Sequence, residues 1–137
     1  MAPDRRFFSG LVVGIGLFLA GCGGTGSGAN EPERYRLEPT RDCLEQAAAR
    51  VTTEGLDFVA STALGGGLGV KLSENELTIA FGQSRADAVR TEQAYRQFAG
   101  EAIPIDDVLF RRLNVVMLWE LPPTDKDRAI VLNCLEG

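Results

Sequence analysis

The side chains able to do chemistry are few, and the first fact about them is an absence. None of the 137 residues is histidine. That removes the commonest general base, the commonest neutral metal ligand and the usual partner of a serine or cysteine nucleophile. What remains is three cysteines, Cys22, Cys43 and Cys134, and scattered carboxylates. Asp106-Asp107, with Glu101 nearby, is the densest acidic group. Glu74 and Glu76 flank a turn between two apolar runs. Metal binding needs clustered His, Cys or carboxylates, and consecutive acids at a helix start are expected from the helix dipole alone. A paired-carboxylate glycosidase needs two acids held across a cleft, whereas Glu74 and Glu76 read as an exposed tip. Ser61 and Thr62 have no Ser-x-x-Lys frame with Lys71 or Lys126. The sequence therefore calls for no metal and no cofactor. The catalytic alternative it leaves is a small hydrolase or lyase using acids near Asp106 and Asp107.

Cys22 stands in a different setting from the other two cysteines. Arg5-Arg6 is followed by an apolar run to Ala20, interrupted by Gly10, Gly14 and Gly16. A basic end, an apolar stretch and small residues before a processing point is the order of an export signal. The run is short and glycine-weakened for a spanning helix, which needs about 20 apolar residues, and it lacks the polar stripe of a surface-packed helix. Leu19-Ala20-Gly21-Cys22 resembles the lipobox of bacterial lipoproteins at all four positions. The resemblance implies a diacylglyceryl thioether on Cys22, cleavage before it, and a lipidated N-terminus. Two or more acyl chains anchor stably, each buried methylene contributing about 0.8 kcal/mol. Asp4-Arg5-Arg6-Phe7-Phe8 also resembles a twin-arginine export motif. The expected place is the cell membrane, lipid-anchored, facing the outside or the periplasm. With Cys22 assigned to lipid, Cys43 and Cys134 are an even pair in an exported protein, where thiols tend to end as a disulfide.

The expected organisation is a signal peptide over residues 1–21, a lipidated cysteine with a Gly-rich tether over 22–35, and one domain over 36–137. Gly/Ser-rich chains behave as flexible coils, and residues 23–30 lack the Gly-Lys-Ser/Thr of a phosphate loop. Without residues 1–21 the chain keeps 12 basic and 18 acidic side chains, a net charge of −6. That disfavours nucleic acid, whose affinity comes largely from neutralised phosphates, and an anionic lipid surface.

Within the domain, Tyr35-Arg36-Leu37 reads as a short strand and Thr40 as the cap of a helix ending at Gly55. Leu44, Ala47, Ala48 and Val51 form its stripe. Residues 58–60 read as strand or a turn of helix. Gly65-Gly66-Gly67 reads as a mobile loop ahead of a hairpin. Residues 68–72 and 77–81 alternate around a Ser73-Glu74-Asn75-Glu76 turn, the clearest hairpin in the chain. Ser84 with Asp87 starts a long helix with Ala88, Val89, Tyr95 and Phe98 inward. Residues 114–119 read as a strand lying inside the sheet, and Thr124 caps a last helix. The class is α+β: a small, mostly antiparallel sheet with helices on one face, a ferredoxin-like arrangement being the nearest common architecture.

Period-two alternation divides the sheet into two faces. Leu68, Val70, Leu72, Leu77, Ile79, Phe81, Val115, Met117, Trp119 and Leu121 point to the core. Gly69, Lys71, Thr78, Ala80, Val116, Leu118 and Glu120 share the other, sparsely filled face. Lys71, Thr78, Val116 and Leu118 are thus the candidate binding residues, for an envelope protein or a second copy of the chain. Function reads as a tethered binding or assembly module.

Overall fold

The computed structural model describes residues 33–137. Cys22 and the leader lie outside them. The elements in order are α1 (Leu37–Gln46), β1 (Arg50–Thr52), α2 (Phe58–Ser61), β2 (Gly67–Lys71), β3 (Glu76–Phe81), α3 (Arg85–Phe98), α4 (Ile105–Val108), β4 (Leu109–Arg112), β5 (Val115–Trp119) and α5 (Asp125–Glu136). The five strands form one antiparallel sheet ordered β1-β2-β3-β5-β4. The α+β class and the antiparallel sheet are as the sequence predicts, and β5 lies between two neighbours.

Local chemistry explains the element ends. Asp57 caps α2 by accepting the Ala60 N–H at 2.9 Å. Ser84 caps α3 through the Asp87 N–H. Thr124 and Asp127 form a reciprocal capping box on α5. The first helix departs from expectation. It starts at Leu37, so Tyr35-Arg36 is not a strand and Thr40 lies inside, its hydroxyl donating to the Arg36 carbonyl. It stops at Gln46 because Ala48 takes a left-handed φ of 64°. The chain then pairs Val51 with Val70 as edge strand β1. β4 is likewise an edge strand, pairing Phe110 with Met117.

Helices cover both faces of the sheet, which corrects the single covered face expected. On one face α1 and α5 close over Leu68, Val70, Ile79, Phe81, Val115, Met117 and Trp119 through Leu44, Val131 and Leu135. On the other, α2 and α3 set Ala60, Ala88 and Tyr95 against Ala80, Val116 and Leu109. The ferredoxin-like expectation meets one unit only. β3 and β4 run parallel with β5 between them, joined through α3, which is one split β-α-β. The second such unit is missing: β1 and β2 extend the sheet as a meander instead.

Cys43 and Cys134 are disulfide-bonded, Cα to Cα 5.3 Å, joining α1 to α5 across 91 residues of sequence. Tyr35, assigned by sequence to the tether, is buried and belongs to the folded body. Its N–H donates to Asn114 Oδ1 (2.7 Å) and its carbonyl accepts from Asn114 Nδ2 (3.0 Å). Asn114 Nδ2 also donates to the Gly82 carbonyl at 2.7 Å. A fully buried amide is acceptable because every polar atom has a partner.

Candidate functional site

The second sheet face consists of three cross-strand rows, and they are not covered alike. The first row is Gly67, Ala80, Val116 and Arg111; the second is Thr52, Gly69, Thr78, Leu118 and Leu109; the third begins Arg50, Lys71, Glu76. Small residues let helices come close to the first row. A Cβ on Gly67 would stand 2.9 Å from the Ala60 carbonyl and from the Leu56 side chain. Gly65 and Gly66 exchange backbone bonds with Phe81, which makes the glycine run a closing extension of the hairpin rather than a mobile loop. Val116 is accordingly fully buried. It is packing, not binding surface, which corrects its place among the candidate residues.

The other three candidates lie where the helical cover stops. Lys71, Thr78 and Leu118 line one open groove of about 550 Å³ with Arg50, Leu56 and Glu120. Gly69 forms part of its floor, with Thr52 and Leu56 close above it. Lys71 is ion-paired with Glu76 across the hairpin. Both side chains are exposed, so the pair contributes little, on the order of 0–1 kcal/mol.

Leu118 also lines a second groove, of about 550 Å³, on the α2/α3 side. Its walls are Phe58, Val59, Tyr95, Phe98, Ile103 and Ile105. Phe58 is 73% exposed, Phe98 67% and Ile103 48%. These are the surface residues the sequence reading missed, and Phe98 it placed in the core. Helical spacing puts Tyr95 and Phe98 on one stripe, but Phe98 is the last residue of α3 and stands exposed on the groove wall. The sequence carries no local signal for this, because Phe98 shares the helical stripe of buried Tyr95. Leu121, expected in the core, is also exposed because β5 ends at Trp119.

One polar pair stands in the apolar groove. Tyr95 Oη donates to both Asp57 oxygens, at 3.1 and 3.0 Å. Burial, and then the facing carboxylate, push the Tyr95 hydroxyl far above the ordinary phenol range, so it remains a donor. The bond ties α3 to the cap of α2 and holds Phe58 and Phe98 on the same rim.

Asp106 and Asp107 start the four-residue α4 with exposed side chains. Asp106 accepts from Arg96 at 2.7 Å, and Arg96 also reaches Glu92 at 3.2 Å. Arg111 donates to Glu92 at 2.6 Å, and this bond, outweighing partial burial, holds the Glu92 carboxyl below its ordinary range. These carboxylates are thus members of a surface ion network. Among the described residues there is no group of three or more His, Cys, Asp or Glu able to hold a metal ion.

No family model, no curated protein and no solved structure matches this chain. The functional reading therefore rests on its own residues.

Proposed function

We propose that this chain is a membrane-anchored cell-envelope lipoprotein acting as a tethered binding or assembly module. The anchor is a lipidated Cys22, and the partner surface is the pair of grooves that meet at Leu118. The observation that carries the reading is the exposed apolar rim of Phe58, Phe98 and Ile103 beside an uncovered stretch of sheet. Scattered apolar residues mean little, but a contiguous patch on a small domain marks an interaction site. The lipobox resemblance at Leu19-Ala20-Gly21-Cys22 supports the anchor. Among the described residues no helix is long and apolar enough to cross a membrane. Acid-based hydrolase or lyase chemistry at Asp106 and Asp107 draws no support from their setting: both are exposed and Asp106 is ion-paired with Arg96.

The test has two readouts on one preparation. Metabolic labelling with a fatty-acid analogue should mark the wild-type chain and not Cys22→Ala. A photo-crosslinking residue at position 98 should give a discrete adduct in the native envelope, and the same residue at exposed Lys126 on α5 should give none. Labelling of Cys22→Ala would remove the anchor; identical adduct patterns at 98 and 126 would remove the binding surface.

A further inference from the structure

We infer that the groove between α2 and α3 receives a basic amphipathic helix from another protein, apolar side chains inserted among Phe58, Phe98, Ile103 and Leu118. The inference rests on the binding-module reading above and names the chemistry of its partner. Its size comes first. A volume of about 550 Å³ lies within the roughly 300–1,000 Å³ of ligand-sized sites. It suits a few anchor side chains of the i, i+3, i+4, i+7 type.

The exposed parts of Phe58, Phe98 and Ile103 come to roughly 300–400 Å², taking about 200 Å² per large side chain. A stable protein–protein interface buries about 800 Å² per partner, which this rim falls short of, so it matches the inserted stripe of one helix rather than a broad contact between two folded copies.

Charge then decides among occupants. From residue 95 to residue 107 the chain carries Glu101, Asp106 and Asp107 against Arg96 alone. Asp57, on the groove wall, adds a fourth carboxylate. Arg96 offsets Asp106, to which it is bonded, and also reaches Glu92, so the net negative charge here comes from Glu101, Asp107 and Asp57. The rim is net negative around an apolar floor. Two copies meeting here would set like charges together, and an anionic lipid surface would be repelled for the same reason. A helix with lysines or arginines flanking its apolar stripe satisfies both features at once.

The experiment uses the mature lipidated protein in phosphatidylcholine nanodiscs. Two labelled synthetic 18-residue amphipathic peptides share one Leu/Phe stripe. One carries lysine on its polar face and the other glutamate. Anisotropy above the level given by empty discs reports binding. The lysine peptide should bind at least about tenfold more tightly than the glutamate peptide, and added salt should narrow that ratio. Phe98→Ser with Ile103→Ser should weaken it about tenfold or more without changing the melting temperature, since both residues are exposed. Asp106→Asn with Asp107→Asn should weaken it severalfold while leaving the glutamate peptide unchanged or better bound.

Equal binding of the two peptides, or binding that the Phe98/Ile103 variant retains, overturns the inference. So does a concentration-dependent dimer that the Phe98/Ile103 variant abolishes. A position-98 adduct in the envelope together with equal peptide binding would remove only the basic-helix inference. Loss of both would remove the binding-module reading as well.

Discussion

Replacing Cys43 and Cys134 together by alanine removes the covalent link between α1 and α5 while leaving the sheet untouched. The bond spans 91 residues of sequence, most of the folded body. For a loop of that length the chain-entropy relation gives about 4.6 kcal/mol at 25 °C, and native disulfides typically contribute about 2–4 kcal/mol. A domain of this size has only about 5–15 kcal/mol of stability, so the variant should fold but lose a large share of its margin. The melting temperature should drop by roughly 8–32 °C, taking about 2–4 kcal/mol at about 4–8 °C per kcal/mol. Trp119 is buried against the α1/α5 face, so its emission reports unfolding in urea. Because most of the effect lies in the unfolded chain, the native far-ultraviolet circular dichroism should be unchanged. The urea dependence should steepen as the freed chain exposes more surface. Reducing the wild-type protein should reproduce the variant. A loss below about 1 kcal/mol would refute the reasoning. A changed native spectrum would also refute it, showing the bond to hold native structure rather than to restrict the unfolded chain.

Val116→Asp and Leu118→Asp should part company, although the two residues stand two apart on one face of β5: Val116 is fully buried and Leu118 half-buried. The first should cost more than about 3 kcal/mol as an unpaired charge in the core. The second should cost markedly less while abolishing the position-98 adduct; thermal melts beside crosslinking decide. Asn114→Ala leaves the Tyr35 N–H and two carbonyls without this partner and should cost about 2–4 kcal/mol, with the Tyr35 amide losing hydrogen-exchange protection. The Glu92 carboxyl is held below its ordinary value of 4.5 by Arg111 and Arg96. Its stabilising contribution is therefore complete above that pH and is lost as pH falls through its lowered native value. Glu92→Gln should flatten the acid limb of the stability-pH curve below about pH 4.5 and leave neutral pH little changed; an unaltered limb would discount the ion network.

What the sequence made legible follows from how local each signal is. The β2–β3 hairpin, the Ser84 and Thr124 caps and the inward set around Ile79 and Met117 depend on nearest neighbours, and alternation with turn chemistry reports those directly. The disulfide was legible from the cysteine count and the export expected from the leader, once Cys22 had been set aside. β1 was hidden because Val51 continues a helical stripe until Ala48 breaks it with a left-handed φ, which alanine does not advertise. β4 was hidden because Asp106-Asp107 mimics a helix start that lasts only to Val108. The site suffered most. Period two told which residues share the second face, but not that α2 and α3 would cover Val116 and spare Leu118. Cover is decided by contacts distant in sequence, such as Ala60 and Ala88 packed with Val116. The exposure of Phe98, the last residue of α3, likewise is not written in its helical spacing.

The Tyr35–Asn114 clamp has a mechanical consequence. A pull travelling along the chain from its N-terminal side arrives at Tyr35, whose two backbone groups grip one asparagine side chain. Asn114 is itself bonded to Gly82 by side chain and backbone, so the load enters the sheet at the joined ends of β3 and β5 and is shared by several bonds at once. Whatever passes into α1 is handed to α5 by a covalent link. The first route enters the sheet and the second stays in the α1/α5 layer, so neither passes through α2 or α3, which carry Phe58 and Phe98. If the chain is held from its N-terminal side, as the proposed lipid on Cys22 would hold it, the domain can be pulled while the rim around Leu118 keeps its shape.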